Sequence, residues 1–92
     1  MDIKLYSTTY CSYCRAAKQL LAQKNLAFTE IDCTDDQATR LRLVEETGRK
    51  TVPQLYIDGV PIGGFDDLNK LARSGELDKI AAGEAKPASV AR

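Results

Sequence analysis

Two cysteines stand one helical turn apart, in Cys11-Ser12-Tyr13-Cys14, between a short apolar run and a longer stretch free of proline and glycine. The run before them, Ile3 to Ser7, alternates Ile3 and Leu5 against Lys4 and Tyr6 and reads as a buried strand. From Ser12 to Lys24, residues Ala17, Leu20, Leu21 and Lys24 follow helical spacing, and Asn25 supplies a stop. Ala27 to Asp32 reads as a second strand. A strand, a helix and a strand in so short a run imply a right-handed parallel crossover. The chain therefore opens with a βαβ unit whose helix begins at the cysteines.

Thr34-Asp35-Asp36 supplies a cap and first-turn acids for a second helix reaching about Thr47, with Ala38, Leu41 and Val44 sharing a face and Gly48 ending it. Gln54 to Ile57 reads as a third strand. Asp58-Gly59 is a strong hairpin signal, so Val60 to Ile62 is expected to pair antiparallel with it. Gly63-Gly64 break the pattern, and Asp66-Asp67 lead into a third helix carrying Leu68, Leu71 and Ala72, which Ser74-Gly75 closes. Glu76 to Ala82 adds a final helical turn or two, with Leu77 and Ile80 facing in. The order βαβ, α, ββ, α predicts an α/β domain, a four-stranded mixed sheet with helices on both faces. The expected domain spans residues 1–82, and the small, polar 83–92 segment is expected to be a disordered tail.

Ninety-two residues suffice for one core and not for two. Thirteen basic and thirteen acidic residues cancel, so nothing in the charge balance draws the chain to nucleic acid or to a membrane surface. No run approaches the roughly 20 apolar residues of a membrane span, and the first residues pass directly into a strand pattern without the character of a signal peptide. Three cysteines, an odd number, suggest reactive thiols in a reducing compartment, hence a cytoplasmic protein.

At the start of a helix, unpaired backbone N–H groups and the positive end of the dipole favour a thiolate over a thiol. A free cysteine titrates near about 8.5, and such surroundings lower that to between about 3.5 and 7.5. Cys11 is therefore the expected nucleophile. Cys14, one turn in and expected to be more buried, suits the resolving role. With no histidine in the chain, the helix terminus and nearby cations remain as the means of activation. The same pair is half of a zinc site, but only Cys33 is left over to help complete four ligands. A purely structural role is a poor fit, because so short a loop constrains little of the unfolded chain.

Three stretches in this order resemble the glutaredoxins, within the thioredoxin fold: Cys11-Ser12-Tyr13-Cys14, Gly48-Arg49-Lys50-Thr51-Val52-Pro53-Gln54 and Gly63-Gly64-Phe65-Asp66-Asp67-Leu68. The likeness covers roughly Met1 to Ala82. It implies a glutathione-dependent thiol–disulfide oxidoreductase that reduces protein–glutathione mixed disulfides and protein disulfides. Glutathione is the implied reductant, with no tightly bound cofactor, and glutathione reductase with NADPH is the indirect electron source. Such a protein acts as a monomer on glutathionylated or disulfide-bonded partners.

The resemblance also implies site residues. Pro53 is expected to be cis and to face Cys11, leaving the Val52 backbone free to pair with glutathione beside Thr51; read alone, Thr51-Val52-Pro53 fits an ordinary strand start equally well. Gly64 allows close approach, and the Phe65 and Asp66 amides with the Asp66 side chain, and less directly Asp67, suit the zwitterionic γ-glutamyl end. Without the resemblance, the two acids are a helix cap. Arg40 matches a glutathione-contacting position and suits the glycyl carboxylate, although charge alone fits a solvated helix face as well. Tyr13 either covers the site or packs the helix.

Three departures stand out. Thr8 replaces a lysine that many glutaredoxins carry, a loss for which Arg49 or Lys50 could compensate. Ser12 replaces the commoner proline, a change that within the family accompanies a [2Fe-2S] cluster shared between two subunits, held by Cys11 of each and two glutathione thiols; this is the alternative function. Phe65 replaces a frequent cysteine, which does not matter if only its backbone N–H is used. Cys33, at a strand end, reads as a small packed residue rather than a second active thiol. A thioredoxin reading fits less well, since the chain lacks tryptophan and has Ser-Tyr between its cysteines.

Overall fold

Alternation in the strands and the punctuation between them set the element order seen in the computed structural model, which describes residues 1–88. The elements are β1 (Ile3–Ser7), α1 (Ser12–Gln23), β2 (Thr29–Asp32), α2 (Gln37–Thr47), β3 (Gln54–Ile57), β4 (Val60–Gly63), α3 (Phe65–Ser74) and α4 (Glu76–Ala81). The sheet order is β2-β1-β3-β4, with β1 parallel to β2 and antiparallel to β3, and β3 antiparallel to β4. This is the expected mixed α/β architecture. The second strand starts at Thr29 rather than Ala27, because its ladder with β1 begins at the Lys4–Thr29 pair.

Each connection has a local cause. Asn25 takes a left-handed φ of 57° and ends α1, while Asp58 and Gly59, at φ 51° and 80°, make the tight turn between β3 and β4. Asp36 caps α2 by accepting from the Thr39 N–H at 3.1 Å, and Gly48 closes the helix at φ 74°. Both sheet edges resist pairing with another chain: β4 carries Pro61, and β2 carries Glu30 and Asp32.

The two faces of the sheet are covered differently. Ile3, Leu5, Leu55, Ile57 and Ile62 form one face and pack against Ala17 and Leu21 of α1, Leu68 of α3, and Leu77 and Ile80 of α4. On the other face, Tyr6 and Tyr56 meet edge to face with centroids 5.3 Å apart, and Leu43 of α2 and Cys33 pack with them. The Arg42 guanidinium donates to the Tyr6 hydroxyl at 2.8 Å and lies over the Tyr6 ring, and the Tyr56 hydroxyl donates to Glu46. Burial and the Glu46 carboxylate push the Tyr56 phenol well above its ordinary value.

The expected inner face of α2 is corrected. Ala38 and Leu41 are exposed, Leu41 by 60%, and Val44 is only partly covered, whereas Leu43 and Thr47 are buried. Leu41 lies about 200° around the helix from Leu43 at roughly 100° per residue. Two tyrosine rings already supply the apolar surface on this side of the sheet. The helix over them therefore needs one leucine and the compact Thr47, and its apolar spacing misleads.

After α4, the backbone N–H groups of Glu84 and Ala85 donate to the Lys79 carbonyl, and Ala85 packs on the larger core cluster. The tail expected over 83–92 extends to residues 89–92, which lie outside the described residues. Among the described residues no helix is long and apolar enough to cross a membrane.

The reversal of α2 has a direct consequence for stability. Leu43→Ala is expected to cost about 2–5 kcal/mol in urea unfolding, and Leu41→Ala to stay within about 0.5 kcal/mol of the parent; comparable losses at both positions would contradict this packing.

Candidate active site

The N-terminus of α1 is capped by sulfur. Cys11 is extended, at φ −148° and ψ 106°, and its Sγ accepts from the Cys14 N–H at 3.1 Å, the place usually taken by a serine or aspartate oxygen. Cys11 and Cys14 are joined by a disulfide with their Cα atoms 5.2 Å apart. Cys11 is partly exposed and Cys14 buried, because positions 14, 17 and 21 form the face that α1 turns to the sheet. When the disulfide opens, the same N–H group and the helix dipole remain to hold negative charge on Cys11.

The loop ahead of Cys11 is fixed from the side. Thr9 N–H donates to Thr34 Oγ1 at 2.8 Å, and Thr34 N–H donates to Asp32 Oδ1 at 2.9 Å. Hydrogen bonds from the Thr34 hydroxyl and N–H hold the Asp32 carboxyl below its ordinary value. This brace was not legible in the sequence, since two loop threonines and an aspartate at a strand end carry no periodic signal.

Across from the cysteines the Val52–Pro53 peptide bond is cis, as the resemblance implied, and Cys11 Sγ lies 3.8 Å from the Val52 carbonyl oxygen. Gln54, fully buried at the start of β3, donates through Nε2 to the Thr51 carbonyl at 2.9 Å and fixes this turn. A cleft of about 260 Å³ runs from here to the first turn of α3, lined by Tyr13, Arg49, Thr51, Val52, Pro53, Gly64, Phe65, Asp66 and Asp67. Tyr13 stacks on Phe65 with ring centroids 6.1 Å apart, so the tyrosine both covers the cleft and packs against its wall.

Glycines let the third wall come close. A Cβ at Gly64 would stand 3.4 Å from the Pro53 carbonyl oxygen, and one at Gly63, whose φ is 132°, would collide with the Asp67 carboxylate. Asp67 Oδ2 accepts both the Gly64 N–H at 3.0 Å and the Arg49 guanidinium at 2.7 Å. Asp67 is therefore occupied. Asp66 is exposed at the helix start, where the first amides of α3 have no acceptor within the helix. Peptide N–H groups and a free carboxylate together present complementary partners to a ligand end that carries both charges.

Arg40 stands apart from this group. It lines a second, larger depression of about 640 Å³ with Thr34, Asp35, Gln37, Leu41, Val44 and Lys50. Lys50 of this depression immediately precedes Thr51 of the cleft. Arg49 is the cleft residue that sequence reasoning left outside its set of binding positions; its place before Thr51-Val52-Pro53 was the available signal. Cys33 is fully buried with its Sγ 3.2 Å from the Ser7 carbonyl oxygen, and burial raises its thiol above the ordinary value. Among the described residues no three histidine, cysteine, aspartate or glutamate side chains are grouped to hold a metal.

Residues 3–62 match the glutaredoxin family model. The chain is 42% identical over 78 residues to a glutaredoxin of Pseudomonas aeruginosa, covering 85% of this chain and 93% of that protein. It is 39% identical over 79 residues to glutaredoxin 3 of Escherichia coli K12, covering 86% and 95%. Among solved structures, a buckwheat glutaredoxin–glutathione complex superposes with a TM-score of 0.83 at 32% identity, covering 88% of this chain and 76% of that one.

The contrast between the exposed and buried thiols is measurable. After reduction, iodoacetamide at pH 8 is expected to label Cys11 rapidly and to leave Cys33 unmodified until denaturant is added, since the raised Cys33 pKa keeps that thiol protonated and burial keeps reagent out. Native labelling of Cys33 at a rate like that of Cys11, followed by peptide mass mapping, would count against the packing described above.

Proposed function

Because the chain belongs to the glutaredoxin family and is a thiol–disulfide oxidoreductase, we propose that it uses glutathione to reduce protein–glutathione mixed disulfides and protein disulfides through Cys11 and Cys14. One observation carries this reading. The sulfur at the N-terminus of α1 borders a cleft whose opposite walls offer a polypeptide backbone at Val52 and a helix N-terminus with a free carboxylate at Asp66. A thiol-bearing, peptide-like zwitterion suits all three. A neighbouring buckwheat glutaredoxin has been solved as a glutathione complex, which supports the same ligand here.

In the monothiol route, the Cys11 thiolate attacks the glutathione sulfur of a mixed disulfide. The target protein leaves as a thiolate and takes a proton from water, and glutathione remains joined to Cys11. A second glutathione thiolate then attacks that glutathione sulfur, forming oxidised glutathione and restoring the Cys11 thiolate. The Cys14 N–H donates to Cys11 Sγ throughout, lowering the cost of the anion at each end of the exchange.

With a protein disulfide, Cys11 attacks one sulfur and Cys14 then attacks Cys11, freeing the reduced target and forming the Cys11–Cys14 disulfide present in this structure. Two glutathiones reopen it, and glutathione reductase with NADPH recycles their disulfide. In binding, the Val52 backbone pairs with the glutathione backbone beside Thr51 and Pro53, while the Phe65 and Asp66 amides and the Asp66 carboxylate take the γ-glutamyl end, which Gly64 lets approach. Arg40, in the second hollow with Lys50, takes the glycyl carboxylate. The protein works as a monomer in a reducing, cytoplasmic setting.

The test is glutathione-dependent reduction of a glutathionylated peptide, coupled to NADPH oxidation by glutathione reductase. Cys14→Ser is expected to keep turnover within about twofold, since the monothiol route does not use Cys14, and Cys11→Ser to fall to background. Equal losses in the two variants would sink the assignment of roles.

A further inference from the structure

We propose that the Arg49–Asp67 ion pair is a positioning tether that sets the spacing of the two cleft walls and thereby the affinity for the glutathione moiety of the substrate. It rests on the glutathione reading above. The walls are the segment leading to Val52 and Pro53 and the first turn of α3, which flank the β3–β4 hairpin. Between them runs the contact of Arg49 Nη1 with Asp67 Oδ2 at 2.7 Å, with the two side chains 35% and 17% exposed.

Both ends of the tether are anchored. Arg49 N–H donates to Thr47 Oγ1 at 3.1 Å, and that hydroxyl, on a fully buried residue, donates to the Leu43 carbonyl at 2.7 Å. The backbone of Arg49 is thus tied to the last turn of α2, from which its side chain reaches Asp67. At the other end, Asp67 Oδ2 also accepts the Gly64 N–H at 3.0 Å, and the carboxylate lies so close over Gly63 that a Cβ there would be 2.2 Å away. Two donors on one carboxylate oxygen hold the Asp67 side chain over the start of α3. The consequence is a rigid separation between the Val52 backbone and the α3 amides, which one small ligand must bridge. Among the described residues lining the cleft, Arg49 is the one cation and is paired with Asp67, so Asp66 is the carboxylate left for a ligand ammonium.

The experiment compares Arg49→Gln, Asp67→Asn, the double variant and Arg49→Lys with the parent, using a glutathionylated peptide and full-length protein. Asp67→Asn keeps an oxygen for the Gly64 N–H and removes only the charge. Each single variant is expected to raise KM roughly tenfold, with kcat falling by much less, as misplacement of a binding group does. The double variant should match the worse single, and Arg49→Lys should restore part of the affinity. The pH profile of Cys11 alkylation should superimpose on that of the parent, because the tether does not touch the sulfur.

An unchanged KM, multiplying effects in the double variant, or a double variant that recovers the parent KM would each overturn the tether while leaving the glutathione reading intact. A shifted alkylation profile in Arg49→Gln would also overturn it, showing Arg49 to be a counter-ion of the thiolate. A parent protein that reduces protein disulfides and fails to turn over the glutathionylated peptide would overturn both. Far-ultraviolet circular dichroism verifies folding, and where Arg49→Gln does not fold, Asp67→Asn and Arg49→Lys carry the comparison.

Discussion

The antiparallel pairing of β1 with β3 at the centre of the sheet is the constraint on which the site depends. Its register sets Tyr6 opposite Gln54, so the end of β1 and the start of β3 lie side by side. The chain leaves β1 through Thr8 and Thr9 to reach Cys11, and enters β3 through Thr51, Val52 and Pro53. Cys11 and Val52 thus meet although 41 residues separate them. Shifting this ladder by one residue would turn Leu5 and Leu55 away from the core and move the sulfur out of reach of the Val52 backbone. The burial of Leu5, Leu55 and Ile57 makes such a slip costly, so the core that stabilises the fold also aligns the chemistry.

Around that alignment, the two faces of the sheet divide the work. The face under α1, α3 and α4 is aliphatic and closely filled, and it holds the two helix N-termini that flank the cleft. The face under α2 is built from Tyr6, Tyr56, Leu43 and Cys33, with polar groups from Arg42 and Glu46 closing it from above. Thr47 extends this polar frame to Arg49, and Arg49 reaches Asp67 on the far side of the cleft. Placement likewise separates the cysteines. Cys11 has an N–H donor and partial exposure, Cys14 is buried one turn on, and Cys33 is enclosed where burial favours its neutral thiol.

Much of this was legible in the residues. Strand alternation in Ile3 to Ser7, the Asp58-Gly59 turn and the Gly48 stop are local signals, and each produced the expected feature because backbone geometry answers to near neighbours; Thr34-Asp35-Asp36 supplied the cap at Asp36 but not the expected first-turn acids, because α2 begins only at Gln37. The three motif stretches likewise named Tyr13, Thr51, Val52, Pro53, Gly64, Phe65, Asp66 and Asp67, and all of them line one cleft. Leu41 was misread for a physical reason: apolar spacing reports which side of a helix is greasy, and α2 rests on tyrosines that ask little of it. Arg40 and Arg49 were weighed on charge and position alone, and neither shows which hollow a long side chain enters.

What the sequence determined by itself is the set of elements and the placement of a cysteine pair at a helix start, since helical spacing, turn residues and helix starts are properties of short stretches. What only the tertiary structure decided is which distant groups share a wall. Arg49 with Asp67, Thr9 with Thr34, and Cys11 with Val52 are joined by no periodicity, because their contacts depend on strand register and helix packing summed over the whole chain.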